Sequence, residues 1–146
     1  MESSEHPLLG KPLPALSLTD WRGEPLDPAN QPDRIVIIDF WATWCGPCIG
    51  YIPKNKRILE DFGPQGVVLV GICATTGSQD MDTVAEERKI TYPIAKDVEK
   101  ISERALRVRH FPEYFLIDRA GIVRAAALPG SKIRDALVEL LAQGTA

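Results

Sequence analysis

The sequence is short of three things, and each shortage excludes a class of protein. It has only three cysteines in 146 residues, Cys45, Cys48 and Cys73, too few for a small disulfide-stapled scaffold. No cluster of its Lys or Arg residues forms a stripe. Its 17 basic residues are outnumbered by 20 acidic ones, for a net charge of -3, so no polyanion-binding stripe and no nucleic-acid partner is expected. It has no apolar run approaching the ~18 residues that cross a bilayer. The start, Met1-Glu2-Ser3-Ser4-Glu5-His6, is polar and acidic and does not read as a signal peptide. What is there is 45% hydrophobic and 25% charged, ordinary for one globular domain of this length.

Two of the three cysteines stand in Trp44-Cys45-Gly46-Pro47-Cys48, just past the apolar run Ile35-Val36-Ile37-Ile38-Asp39-Phe40-Trp41. Residues three apart share a helix face, so the two sulfurs can meet and switch between dithiol and disulfide. Gly46 and Pro47 suit the bend and first turn of a helix. A Cys-x-x-Cys after a strand and opening a helix reads as a thioredoxin-like redox site. Cys45, at the helix tip, is the expected nucleophile, and Cys48, one turn in, the expected resolving thiol. A helix dipole contributes about 0.3–1 kcal/mol to a thiolate at Cys45, and up to ~2 when partly buried. Cys73 lies in another apolar run, Val67 to Cys73, and reads as an inert core thiol.

Asp39 interrupts a run with no polar alternation, which reads as a strand covered on both faces. A carboxyl there has a raised pKa and suits proton transfer. It is the expected acceptor of the Cys48 proton.

Along the chain, residues 1–14 read as an arm and 15–143 as one domain. Ala15 to Thr19 alternates like a short strand, with a turn at 20–24 and a hairpin partner expected around 25–27. A strand at 35–40 is followed by a helix over 45–62, kinked at Pro53. The spacing then predicts a strand at 67–72, a helix over 79–89 capped by Ser78, and a strand at 92–95. A helix over 98–107 capped by Asp97, a hairpin of 114–117 with 122–127, and a last helix capped by Ser131 complete the pattern. The expected fold is α/β: a mixed central sheet with helices on both faces, an N-terminal β-hairpin and a helical insertion.

Asp39-Phe40-Trp41-Ala42-Thr43-Trp44-Cys45-Gly46-Pro47-Cys48 resembles the active-site segment of thioredoxins. Pro53 matches that family's helix-kinking proline, and Phe111-Pro112 falls where it has a cis-proline. The 118–121 hairpin and the segment from Gly77 to Pro93 resemble the TlpA/ResA-like branch of thiol-disulfide oxidoreductases. The resemblance covers about residues 8–143. It implies catalysis by Cys45, Cys48 and Asp39, and substrate contact by Trp44, Gly46, Pro47, Phe111 and Pro112. There are departures. His110, Phe111 and Glu113 differ from the family pattern around Pro112, and Thr76 replaces a glutamate that some branch members place near the dithiol. Phe111 is expected either to add apolar area beside Cys45 or to pack inward, and Glu113 to disfavour acidic partners.

The resemblance implies a reductant of protein disulfides, working in electron transport or cell redox homeostasis without a cofactor or metal. Its partners are a protein or small-molecule disulfide and an upstream thiol reductant. The expected form is a monomer in the bacterial cell envelope or periplasm, with any signal or membrane anchor lying outside this sequence; the alternative is cytoplasmic. Two rival activities remain. A thiol peroxidase site needs Thr three and Pro seven residues before the reactive cysteine, where Ala42 and Ile38 stand. A copper-binding or delivery module could use Cys45, Cys48 and His110, since soft Cu(I) accepts few ligands.

Overall fold

Seven consecutive residues, Ile35–Trp41, form strand β2, and all seven are buried. β-Branched and aromatic side chains favour the pleated backbone, and neighbours on both sides explain why no polar alternation is needed. The computed structural model describes residues 6–144, with β2 inside a six-stranded sheet.

The strands are β1 (Leu18–Arg22), β2, β3 (Val67–Cys73), β4 (Ile94–Asp97), β5 (Glu113–Ile117) and β6 (Val123–Leu128), in spatial order β1-β4-β3-β2-β5-β6. β2 runs parallel to β3, and β3 to β4. β5 lies antiparallel to β2, β6 to β5, and β1 to β4. The sheet is mixed, as expected. The helices are α1 (Gly46–Gly50), α2 (Ile52–Phe62), α3 (Met81–Arg88), α4 (Ile101–Ala105) and α5 (Gly130–Ala142). α2 and α5 share one face, tied by an Arg134–Asp61 ion pair and by Arg134 over the Phe62 ring. On the other face His6 meets the ring of Phe115 edge-on. Residues 10–13 bond to the β5–β6 hairpin through Gly10 N–H to Val123 O and Leu13 N–H to Gly121 O.

Several local expectations need correction. No N-terminal hairpin forms, because β1 pairs with β4 at the sheet edge instead. Pro25 and Pro28 flank the would-be partner strand and cannot donate to a ladder, while Leu26 between them turns into the core. β1 itself begins three residues later than the alternation at 15–19 predicts, set by a partner almost eighty residues away. The helix over 45–62 is two helices broken at Tyr51. Pro53 has no N–H with which to continue the ladder, so the break is the kink carried further. Ser78 and Ser131 cap nothing. A 3-10 turn, Ser78–Asp80, precedes α3, and α5 begins straight after Pro129. The helix expected over 98–107 forms only at Ile101–Ala105, and the Asp97 carboxylate holds its first turn, accepting from Ser102 N–H at 2.7 Å and Glu103 N–H at 3.0 Å.

Candidate active site

β2 ends at Trp41, and four residues on, Cys45 becomes the N-cap of α1. Cys45 and Cys48 are joined in a disulfide, with their Cα atoms 5.2 Å apart. The Cys48 amide donates to Cys45 Sγ at 3.2 Å. This N-cap bond does locally what the expected long helix dipole was to do. α1 is only five residues long, so an aimed N–H, and not a summed dipole, faces the sulfur. Cys45 is the more accessible of the pair, 7% exposed against 1% for Cys48. It is therefore more covered, in this disulfide form, than a free helix tip.

The backbone before Pro112 lies against Cys45. Phe111 O lies 3.5 Å from its sulfur. The bond that follows, Phe111–Pro112, is cis. Trp44 is 59% exposed, yet it is held: its Nε1 donates to Thr76 O at 3.1 Å, and its ring meets Phe111 edge-on at 5.5 Å. Thr43 Oγ1 donates to Gly77 O at 2.8 Å. Gly77 is required at this contact. Its φ is +85°, and a Cβ would fall 2.8 Å from both Thr43 Oγ1 and Trp44 Cδ1. Phe111 packs inward on Phe40 at 6.1 Å while its other flank meets Trp44. Gly46 and Pro47 are exposed beside it.

A buried polar cluster centres on Asn55, in the helix that follows the disulfide. Asp39, 1% exposed, receives Asn55 Nδ2 on Oδ2 at 2.8 Å. The same amide group reaches the Tyr92 hydroxyl at 3.1 Å, and the Tyr114 hydroxyl donates to Asn55 Oδ1 at 2.7 Å. Asp39 Oδ1 has no hydrogen-bond partner. Burial pushes the Asp39 pKa up to about 7, against the pull of Asn55 and the Tyr114 hydroxyl. Asn55 went unnoticed in the sequence because asparagine in a helix usually marks a solvated face. The available signal was its spacing: Ile52, Asn55 and Ile58 form the buried stripe of α2, at intervals that put them on one face.

Other residues depart from expectation. Glu113 is 5% exposed, with Oε1 unpartnered, and burial raises its pKa. It points into the protein, not at a partner, because it heads the fully buried strand β5. Cys73 is buried, and burial pushes its thiol up to about 12. Among the described residues no three His, Cys, Asp or Glu side chains are grouped to hold a metal. Among the same residues no helix is long and apolar enough to cross a membrane.

A mixed sheet of this order, with a Cys-x-x-Cys disulfide opening the helix after a central strand, defines a thiol-disulfide oxidoreductase of the thioredoxin-like class. The chain belongs to the AhpC/TSA family, whose model matches residues 9–126. It is 28% identical over 116 residues to the thiol-disulfide oxidoreductase ResA of Geobacillus kaustophilus, covering 80% of this chain and 67% of the relative. It is 39% identical over 74 residues to a thioredoxin of Coprinus comatus, covering 48% of this chain and 66% of that one. The matches thus span about two thirds of these two relatives' length. Among solved structures, a candidate thiol:disulfide interchange protein DsbE from Chlorobium tepidum shares the fold with a TM-score of 0.77. The identity is 23%, over 92% of this chain and 96% of the other. A secreted Mycobacterium tuberculosis disulfide oxidoreductase shares it with a TM-score of 0.65 at 17% identity, over 80% of this chain and 90% of that one.

Proposed function

We propose that this protein reduces disulfides in other proteins through the Cys45–Cys48 pair. The observation that carries the reading is the hydrogen bond from Cys48 N–H to Cys45 Sγ, which favours a thiolate at Cys45. In the reduced protein that thiolate attacks one sulfur of a partner disulfide. The partner's other sulfur leaves as a thiolate, and a mixed disulfide joins Cys45 to the partner. Cys48 then loses its proton and attacks Cys45 Sγ. The partner's second sulfur leaves, and two electrons have passed to the partner. An upstream thiol reductant restores the Cys45–Cys48 dithiol.

Asp39 takes the Cys48 proton in this scheme. Its buried carboxyl has one oxygen held by Asn55 and one without a partner, and a pKa near neutrality suits an acceptor working at physiological pH. Asn55 is a positioning residue. Tyr114 occupies its Oδ1, so the amide can present only donors towards Asp39 and Tyr92. Trp44, Gly46, Pro47, Phe111 and Pro112 form the partner-facing rim. The chain acts as a monomer outside the cytoplasm. The likeness to ResA and to a secreted disulfide oxidoreductase supports that location.

Insulin reduction tests the scheme. Cys45→Ser abolishes turnover, whereas Cys48→Ser accumulates a covalent protein–insulin adduct that dithiothreitol releases. Full turnover by either variant contradicts the mechanism.

A further inference from the structure

A cavity of about 570 Å³ opens on the face of the sheet that carries His6, where α4 gives way to the loop leading to Pro112. Arg104, Arg107 and Arg109 line it, against a single carboxylate, Glu103. Val108 and Ala127 give it an apolar part. Arg107 and Arg109 are exposed, and among the described residues neither takes part in an ion pair. The whole chain carries a net charge of -3, so this is a local concentration of positive charge against the overall balance. Such a concentration attracts anions and raises their encounter rate.

The cavity is also close to the dithiol. Arg109 is two residues before Phe111, whose carbonyl oxygen lies 3.5 Å from Cys45 Sγ. Two residues span at most about 7 Å. A polypeptide bound through its cysteine to Cys45, and lying along the Phe111 backbone, brings side chains two or three residues from that cysteine within reach of Arg109 and Arg107. Glu113, the carboxylate expected to repel acidic partners, is buried in β5; it feels the charge of Arg109 but does not line the cavity.

We infer that the cavity lined by Arg107 and Arg109 selects protein partners carrying Asp or Glu within a few residues of the cysteine that reacts with Cys45. The inference rests on the proposed function and names its substrate class. The field of the two arginines already bears on His6 beside them. Burial first, and then the charges of Arg107 and Arg109, hold its imidazole below its ordinary pKa. A carboxylate in the cavity gains from that same field. Its benefit is modest and salt-sensitive, since exposed charges are screened within roughly 10 Å at 0.1 M salt.

The test uses two synthetic disulfide peptides, identical except that one carries Glu and the other Gln at two positions flanking its cysteine. Each exposed charge pair contributes about 0.2–1 kcal/mol. Two pairs therefore favour the Glu peptide by about 2- to 30-fold in kcat/KM at low salt. The ratio falls towards 1 in the Arg107→Gln/Arg109→Gln variant, and also in wild type at about 0.5 M salt. An equal preference in wild type and variant overturns the inference, as does a ratio near 1 in wild type. A preference for Glu that emerges only when Glu2 and Glu5 are changed to Gln also overturns it, and assigns the cavity to the chain's own acidic residues. The ratio is read with peptide disulfide against reduced protein and with peptide dithiol against oxidised protein. An error in the proposed direction of electron flow thus shows as a direction, separately from the ratio.

Discussion

Asn55 holds Asp39: the amide of the first donates to a carboxylate oxygen of the second at 2.8 Å, inside the core. This one bond joins the helix that carries the cysteines' continuation, α2, to the strand that delivers them, β2. It leaves the other Asp39 oxygen free to take a proton. A carboxyl so enclosed costs stability whenever it ionises, and that cost depends on pH.

The sign follows from the direction of the shift. The native pKa of Asp39 is raised from 3.8 to about 7, so between those values the native protein holds a proton that the unfolded chain has lost. The contribution of Asp39 to stability is therefore greatest below about pH 4 and falls as pH rises to about 7, by up to roughly 4 kcal/mol. Asp39→Asn removes the dependence. Its advantage over wild type grows from about none at pH 4 to a few kcal/mol near pH 8, read by urea unfolding at each pH. The same variant slows release of the mixed disulfide more than its formation. A stability difference that is equal at both pH values contradicts the burial argument.

Asn55→Leu removes the donor and leaves the carboxyl buried. A hydrogen bond to a charged group contributes about 1.5–3 kcal/mol. The pH midpoint of mixed-disulfide release therefore moves up by about one to two pH units. Tyr114→Phe frees Asn55 Oδ1 and moves the midpoint the same way by less. Stopped-flow release measured across pH reads both. A lower melting temperature with an unmoved midpoint reduces Asn55 to a packing role.

How much of this was legible depended on distance along the chain. Ile35–Trp41 declares itself a doubly covered strand, and Trp44–Cys48 a redox pair, because each signal lies within a few residues. Pro53 marks the break in the helix for the same reason, by lacking an N–H. β1 begins at Leu18 and has no hairpin partner because its edge depends on pairing with Ile94–Asp97, a contact no local pattern records. Asn55 was missed because its partners come from β2, the approach to β4 and β5. Glu113 carries a charge that marks surface by residue type, while the sheet buries it. The arginine-lined cavity joins residues 6–7, 103–109 and 127, a grouping visible only after folding.

Cys73 offers a contrast within one molecule. Its thiol is buried and pushed up to about 12, so almost none is thiolate at neutral pH. In the reduced native protein, iodoacetamide at about pH 8 labels Cys45 more than about tenfold faster than Cys73, followed by peptide mass mapping. Comparable rates at the two sites contradict the assignment of Cys73 as an inert core thiol.

The central claim, that the pair is a reductant, is tested most directly by the reduction potential of Cys45–Cys48, measured by equilibration with defined glutathione or dithiothreitol mixtures. The account predicts a value near that of thioredoxin, about -270 mV. A value near about -120 mV, that of a strong oxidant such as DsbA, contradicts it and reverses the direction of electron flow.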